Sequence, residues 1–207
     1  MNSTSSIITS GREYGSGERQ RGQEVAKYLG IKWYEKELLE HAANESGICK
    51  ELFENHDERP TNSFLYSLVM DTYSFGYSSS GFTDMPMNHK VFLAQFDAIK
   101  KLASEGPCVM VGRCADYALS EYKDCFSVFV HADTDWRINR LSQKHNKTAK
   151  EAKDMINKTD KSRSSYYNYY TNKKWGAASS YNLCVDSSKL GIDDAAKTII
   201  QTIEIFN

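Results

Sequence analysis

Apolar runs that alternate with helically patterned stretches organise the chain. Ser5–Ser10 leads through a Gly-rich turn into a helix predicted over Glu18–Leu29. Cys108–Val111, entered by Gly106-Pro107, leads through Gly112-Arg113 into a short helix over Ala115–Tyr122. Phe126–His131 leads into a helix over Asp135–His145, with Thr134 as its expected N-cap. Asn182–Val185 precedes an amphipathic helix over Ile192–Ile205, and Ile31–Tyr34 supplies a fifth short strand. Continuous apolar strands between helices imply a parallel sheet covered on both faces. Right-handed crossovers would place ligands outside the carboxyl ends of its strands.

Two stretches interrupt this alternation. Residues 35–105 are mostly helical, with polar breaks at Asn55–Ser63 and at Ser78–Gly81, and read as an inserted helical subdomain. Residues 147–175 form a second helical stretch, rich in Lys and Tyr, between the last two strands. A lid over a cleft and a rigid dimerisation surface both fit such insertions, and the oligomeric state stays open.

Length and charge narrow the picture. The chain has 207 residues, which suits one domain spanning 1–207 with these insertions. Its 26 Lys and Arg against 27 Asp and Glu leave a net charge of −1. That argues against a whole-protein field for nucleic acid or an anionic membrane, though not against a local basic cleft. No signal-peptide core and no 18-residue apolar run occurs. The five cysteines form no C-x-x-C and the five histidines show no metal-ligand spacing, so reduced thiols, a cytoplasmic location and no protein-held metal are expected.

The first strand ends in Gly11-Arg12-Glu13-Tyr14-Gly15-Ser16-Gly17-Glu18-Arg19. A Gly-rich turn opening a helix lets backbone N–H groups converge on an anion. It resembles a P-loop in part: aligned on Gly17, Arg12 stands at the first glycine and Glu18 at the lysine. Four further segments follow in order. They are Gly112–Tyr117 (GRCADY), Phe126–Leu141 with its arginine-bearing helix, Asp160–Tyr167 (DKSRSSYY), and Val185–Ile192 (VDSSKLGI). With Trp175–Tyr181 they resemble the cytidylate kinase-like family over about Ile7 to Ile203.

That resemblance implies an α/β three-layer P-loop kinase core with five parallel strands in the order 2-3-1-4-5. It implies ATP-dependent phosphoryl transfer to a nucleoside monophosphate, CMP or dCMP first, or to a similar small anionic acceptor, with Mg²⁺ accompanying ATP. Carried over residue by residue, Gly15, Ser16 and Gly17 would cradle donor phosphates and Arg113 would hold the acceptor. Arg140 and Arg163 would neutralise transition-state charge, with Asp160 as the partner of Arg163. Arg12, Arg19 and Lys161 are candidates to supply the charge of the missing P-loop lysine, since phosphoryl transfer depends on positioned cations. Cys114 follows Arg113 where the family carries aspartate, and Ile156 replaces a lid arginine. Together with Glu18 these departures motivate an alternative, a nucleotide- or anion-binding regulatory module with impaired catalysis. Tyr166, Tyr169 and Tyr170 share a helix face that would either stack on a base or pack the helix onto the body.

Overall fold

The computed structural model describes residues 6–58 and 86–206. Five strands, β1 (Ile7–Arg12), β2 (Lys32–Tyr34), β3 (Cys108–Val111), β4 (Cys125–His131) and β5 (Leu183–Asp186), form one sheet in the order β2-β3-β1-β4-β5. Every pairing is parallel, with Ile8 opposite both Val109 and Phe126, and Val130 opposite Val185. The expected strand order and three-layer architecture are thus present.

Nine helices accompany the sheet among the described residues. They are α1 (Glu18–Leu29), α2 (Glu37–Ser46), α3 (Lys50–His56), α4 (Met87–Ser104), α5 (Ala115–Ala118), α6 (Thr134–His145), α7 (Ala149–Thr171), α8 (Ser187–Leu190) and α9 (Ile192–Phe206). Alternation within each strand sorts its side chains onto two faces. Ile8, Val109, Val128 and Val130 meet Val25 and Leu29 of α1 and Ile199 and Ile203 of α9. Ile7, Cys108 and Met110 meet Leu38 of α2, Ile99 and Leu102 of α4, and Ala115 and Ala118 of α5. Burial on both faces is why β3 and β4 read as unbroken apolar runs.

Some boundaries move. The cap of α6 is Asp133 rather than Thr134: its carboxylate accepts from the Asp135 and Trp136 N–H groups, while Thr134 is already helical. The helix predicted over Ala115–Tyr122 is a single turn, because Cys114 enters it in a left-handed conformation and Leu119 leaves helical space. In the stretch 35–105, α2, α3 and α4 pack together through Leu39, Phe53 and Val91. The polar break at Ser78–Gly81 and most of that at Asn55–Ser63 lie outside the described residues. The stretch 147–175 is largely α7, opened by a capping box between Thr148 and Glu151. Tyr166 and Tyr170 are buried against Phe92, with the Tyr170 ring stacked on it at 3.9 Å, so that tyrosine face packs α7 onto α4.

Candidate active site

The carboxyl ends of β1, β3 and β4 converge, and three arginine-bearing elements meet there. The turn after β1 is shaped by Gly15 and Gly17, at φ +84° and +82°. Gly15 is required twice over, because a Cβ there would also fall 2.8 Å from Leu141 of α6. Ser16 is fully buried; its N–H and its hydroxyl both donate to the Glu13 carbonyl, at 3.3 and 2.9 Å. Its own carbonyl accepts from Ser187 Oγ at 2.8 Å and from Arg21. The Ser16 hydroxyl therefore braces the turn rather than facing a ligand.

Glu13 and Tyr14 tie the turn to α6 and α7. The Tyr14 N–H donates to Asp160 at 2.7 Å, and Arg137 of α6 reaches the other Asp160 oxygen at 2.5 Å. Arg137 also lies 3.5 Å from the Glu13 carboxylate. The expected Asp160–Arg163 partnership is not a hydrogen bond: Asp160 favours the charged form of Arg163 through space but hydrogen-bonds Arg137 and the turn, while Arg163 donates to Glu58 and the Arg12 carbonyl. Arg137, which the sequence reading passed over, is the buried arginine of α6, and Arg140 is the partly exposed one, bonded to Gln20 and set 5.6 Å over the Trp136 ring.

Arg12, Arg113 and Arg163 converge on two carboxylates that no sequence motif marks, Asp57 and Glu58. Arg12 donates to Glu58 at 2.7 Å, and Arg163 Nε to the second Glu58 oxygen at 3.2 Å. Arg113 grips Asp57 with both fork positions, at 3.0 and 2.8 Å, and donates to the Glu35 and Val111 carbonyls. Burial alone would raise the Glu58 pKa, but Arg12, Arg163 and Arg113 together hold it well below the usual carboxylate range. Burial works against the charged form of Arg113 as well, yet Asp57 and Glu58 raise its pKa overall. For Arg163, burial and the like charge of Arg12 win, and its pKa falls.

Close approach is possible because Gly112, at φ +75°, has no Cβ; one there would overlap Arg12 and sit 2.6 Å from Glu58. Arg113 and Cys114 follow in the same left-handed region, at φ +54° and +56°, and the Arg113 fork turns back to the Val111 and Glu35 carbonyls at the ends of β3 and β2. Cys114 is buried, and burial pushes its thiol far up, so it packs rather than reacts.

Two cavities flank this cluster. The outer cleft, about 210 Å³, runs along Gly15 and Gly17 and is edged by Arg19, Arg140 and Lys144. The inner one, about 20 Å³, is floored by Asp116, Tyr167, Trp175 and Tyr181. Arg12 and Arg163 line both, so they form the wall between them. In the inner cavity Tyr167 donates to Asp116 at 2.7 Å, with Lys173 at 3.5 Å. Burial nonetheless keeps the Asp116 pKa raised. Arg19 lies 3.2 Å from Glu35 and is exposed. Lys161 is exposed on α7 and lines neither cavity.

The hydroxyl of the turn is turned inward, and among the described residues no three His, Cys, Asp or Glu side chains lie together as a metal cluster. No helix among the described residues is long and apolar enough to cross a membrane.

No curated protein matches the chain. Among solved structures, an uncharacterized protein from Eubacterium ventriosum is 27% identical with a TM-score of 0.69, over 96% of this chain and 98% of that one. Shikimate kinases share the fold at 12% identity. The enzyme from Acinetobacter baumannii, solved in complex with shikimate, has a TM-score of 0.51 over 98% of this chain and 94% of its own. That from Bacteroides thetaiotaomicron has a TM-score of 0.50 over 96% and 98%. The model of the cytidylate kinase-like family matches residues 7–189. The chain therefore belongs to the cytidylate kinase-like family, and that membership supports ATP-dependent phosphoryl transfer as a class of chemistry.

Proposed function

We propose that the protein transfers the terminal phosphoryl group of ATP to a nucleoside monophosphate, with CMP or dCMP as the first acceptor to test. The observation that carries this reading is the shared wall: Arg12 and Arg163 face both the cleft beside the Gly15–Gly17 turn and the aromatic-floored inner cavity. A phosphoryl group passing between two bound nucleotides must cross such a boundary, and guanidinium forks there would neutralise its equatorial oxygens. In this reading the donor lies in the outer cleft, with backbone N–H groups at Gly15 and Gly17 and the side chains of Arg19 and Arg140 around its phosphates. The acceptor lies inward, its phosphate on Arg113 and its base against Tyr167 and Tyr181, which stack at 5.8 Å. An acceptor phosphate oxygen attacks the terminal phosphorus, the bond to the bridging oxygen breaks, and ADP departs with that electron pair. Asp160 holds Arg137 and the turn in place, and α7 acts as the lid. Magnesium bound to the polyphosphate would share in neutralising its charge.

A coupled assay over the nucleoside monophosphates, with Mg-ATP and Mg-GTP, tests the proposal. Turnover with a pyrimidine monophosphate is expected; folded protein with no turnover on any acceptor would remove it. The second reading, a binding module without catalysis, is favoured by Glu18 at the lysine position and by the inward-turned Ser16 hydroxyl. Calorimetry separates the two: ATP or monophosphate binding without turnover is its signature.

A further inference from the structure

The cluster that should greet an anionic acceptor is already satisfied. Arg12, Arg163 and the Arg113 N–H, the last at 3.4 Å, all point to the Glu58 carboxylate. We propose that Glu58 is an internal stand-in for the acceptor's anionic group, and that a phosphate monoester binds by exchange, displacing the Glu58 side chain from the arginine seat. This rests on the phosphoryl-transfer reading for the identity of the ligand, but not for the exchange itself.

Three observations single out Glu58 as the group that leaves. The first is how differently the two carboxylates are anchored. Asp57 accepts from both forks of Arg113 and from Gln95, which is fully buried and itself fixed by Tyr166. Glu58 has its charged contacts to the arginines and a backbone in the left-handed region, at φ +49°, a conformation that costs a glutamate energy unless its surroundings hold it. Its backbone carbonyl accepts from Ser162 of α7 at 3.0 Å, so the side chain can swing out while that link persists.

The second is charge. The side chains paired with Glu58 itself are two guanidinium groups, Arg12 and Arg163, against its single charge, while Arg113 is matched by Asp57. Exchanging the single charge of Glu58 for a phosphate dianion brings that seat to two against two. A monocarboxylate would leave the imbalance as it was. The third is space. Glu58 lines the inner cavity, whose roughly 20 Å³ admits little more than a water molecule, so no acceptor fits while Glu58 is seated.

Titration of inorganic phosphate into the parent protein and into Glu58→Gln, followed by calorimetry, tests this. An internal occupant lowers apparent affinity by the fraction of time the seat is free, so Glu58→Gln should bind phosphate on the order of tenfold more tightly. Adding Arg163→Ala to that variant should abolish the gain. Equal or weaker phosphate binding by Glu58→Gln would overturn the proposal, and an equal gain for acetate would overturn the dianion assignment. Should Glu58→Gln be poorly folded alone, phosphate should restore its thermal midpoint; failure to do so also counts against exchange. The catalytic reading fails separately. Absence of turnover in both proteins would sink the kinase and leave the titration decisive, whereas turnover with one shared acceptor KM would keep the kinase and sink the exchange.

Discussion

The two cavities flanking Arg12 and Arg163 are built on opposite plans. The outer cleft is made from a glycine turn and long cationic side chains at the surface, such as Arg19 with its exposed pair to Glu35. The inner cluster is made from buried forks that are almost fully neutralised by the chain's own carboxylates. Exposed cations can be replaced one at a time at small energetic cost, because water and salt screen them. Buried, cross-bonded ions cannot, because removing one strands its partner in a poorly solvated site. The contrast separates replaceable surface cations from a tightly cross-bonded inner cluster. It also says where substitutions should hurt.

Arg113→Ala should have the largest effect. It removes a buried guanidinium and strips the half-buried Asp57 of its bidentate partner, which costs up to roughly 3–5 kcal/mol. Urea unfolding at neutral pH measures it; a loss below about 1 kcal/mol would mean that the inner cluster is no stiffer than the surface. Gly112→Ala comes next. The left-handed φ of +75° and the overlap with Arg12 and Glu58 together should cost about 2–3 kcal/mol, again by urea unfolding. A neutral result there would show that the three arginines can shift apart freely.

Much of this architecture was legible in the chain, and the part that was not has a physical reason. Runs such as Cys108–Val111 and Phe126–His131 announce doubly covered strands because both of their faces are buried. Arg113 and Arg163 could be singled out because the segments that carry them resemble motifs of the cytidylate kinase-like family, and Arg12 because it stands in the Gly-rich turn. Asp57 and Glu58 could not: they follow α3, 46 to 105 residues from the arginines they bond, in no recognisable pattern. Partnerships fail for the same reason. Asp160 and Arg163 sit one helical turn apart and invite pairing, yet Asp160 reaches the Tyr14 N–H and Arg137, contacts that only the packing of α7 on α6 creates. The Asp133 cap was missed by one residue because Asp133 and Thr134 are both good caps, and the carboxylate that accepts two N–H groups wins.

Acid titration sharpens the comparison at intermediate size. Glu58 is held charged in the folded protein, whereas an unfolded glutamate titrates near pKa ~4.3. Its contribution is therefore fully present above that value and is lost as pH falls below it toward the lower folded pKa. The parent should lose stability on acidification from about pH 4 downward, and Glu58→Gln should show a flatter acid limb, by about 1–2 kcal/mol between pH 5 and pH 3. Denaturant midpoints at a series of pH values measure the slope. Parallel acid limbs would place the Glu58 charge outside the buried cluster.

Arg19→Ala should change stability least, and that smallness is informative. Arg19 is 57% exposed and pairs with Glu35 at 3.2 Å, the kind of contact that solvent largely screens. Its stacking over Trp33 at 5.9 Å adds little at an exposed site. Unfolding free energy should therefore shift by no more than about 0.5 kcal/mol. Ligand affinity should respond instead, because Arg19 edges the outer cleft. Losing one charge-assisted contact there should weaken ATP binding by roughly tenfold while leaving phosphate binding at the inner seat unchanged. A stability loss as large as that of Arg113→Ala would erase the distinction between the two cavities. Unchanged ATP affinity would remove Arg19 from the donor side and leave Arg140 and Lys144 as its remaining side-chain cations beyond the shared wall.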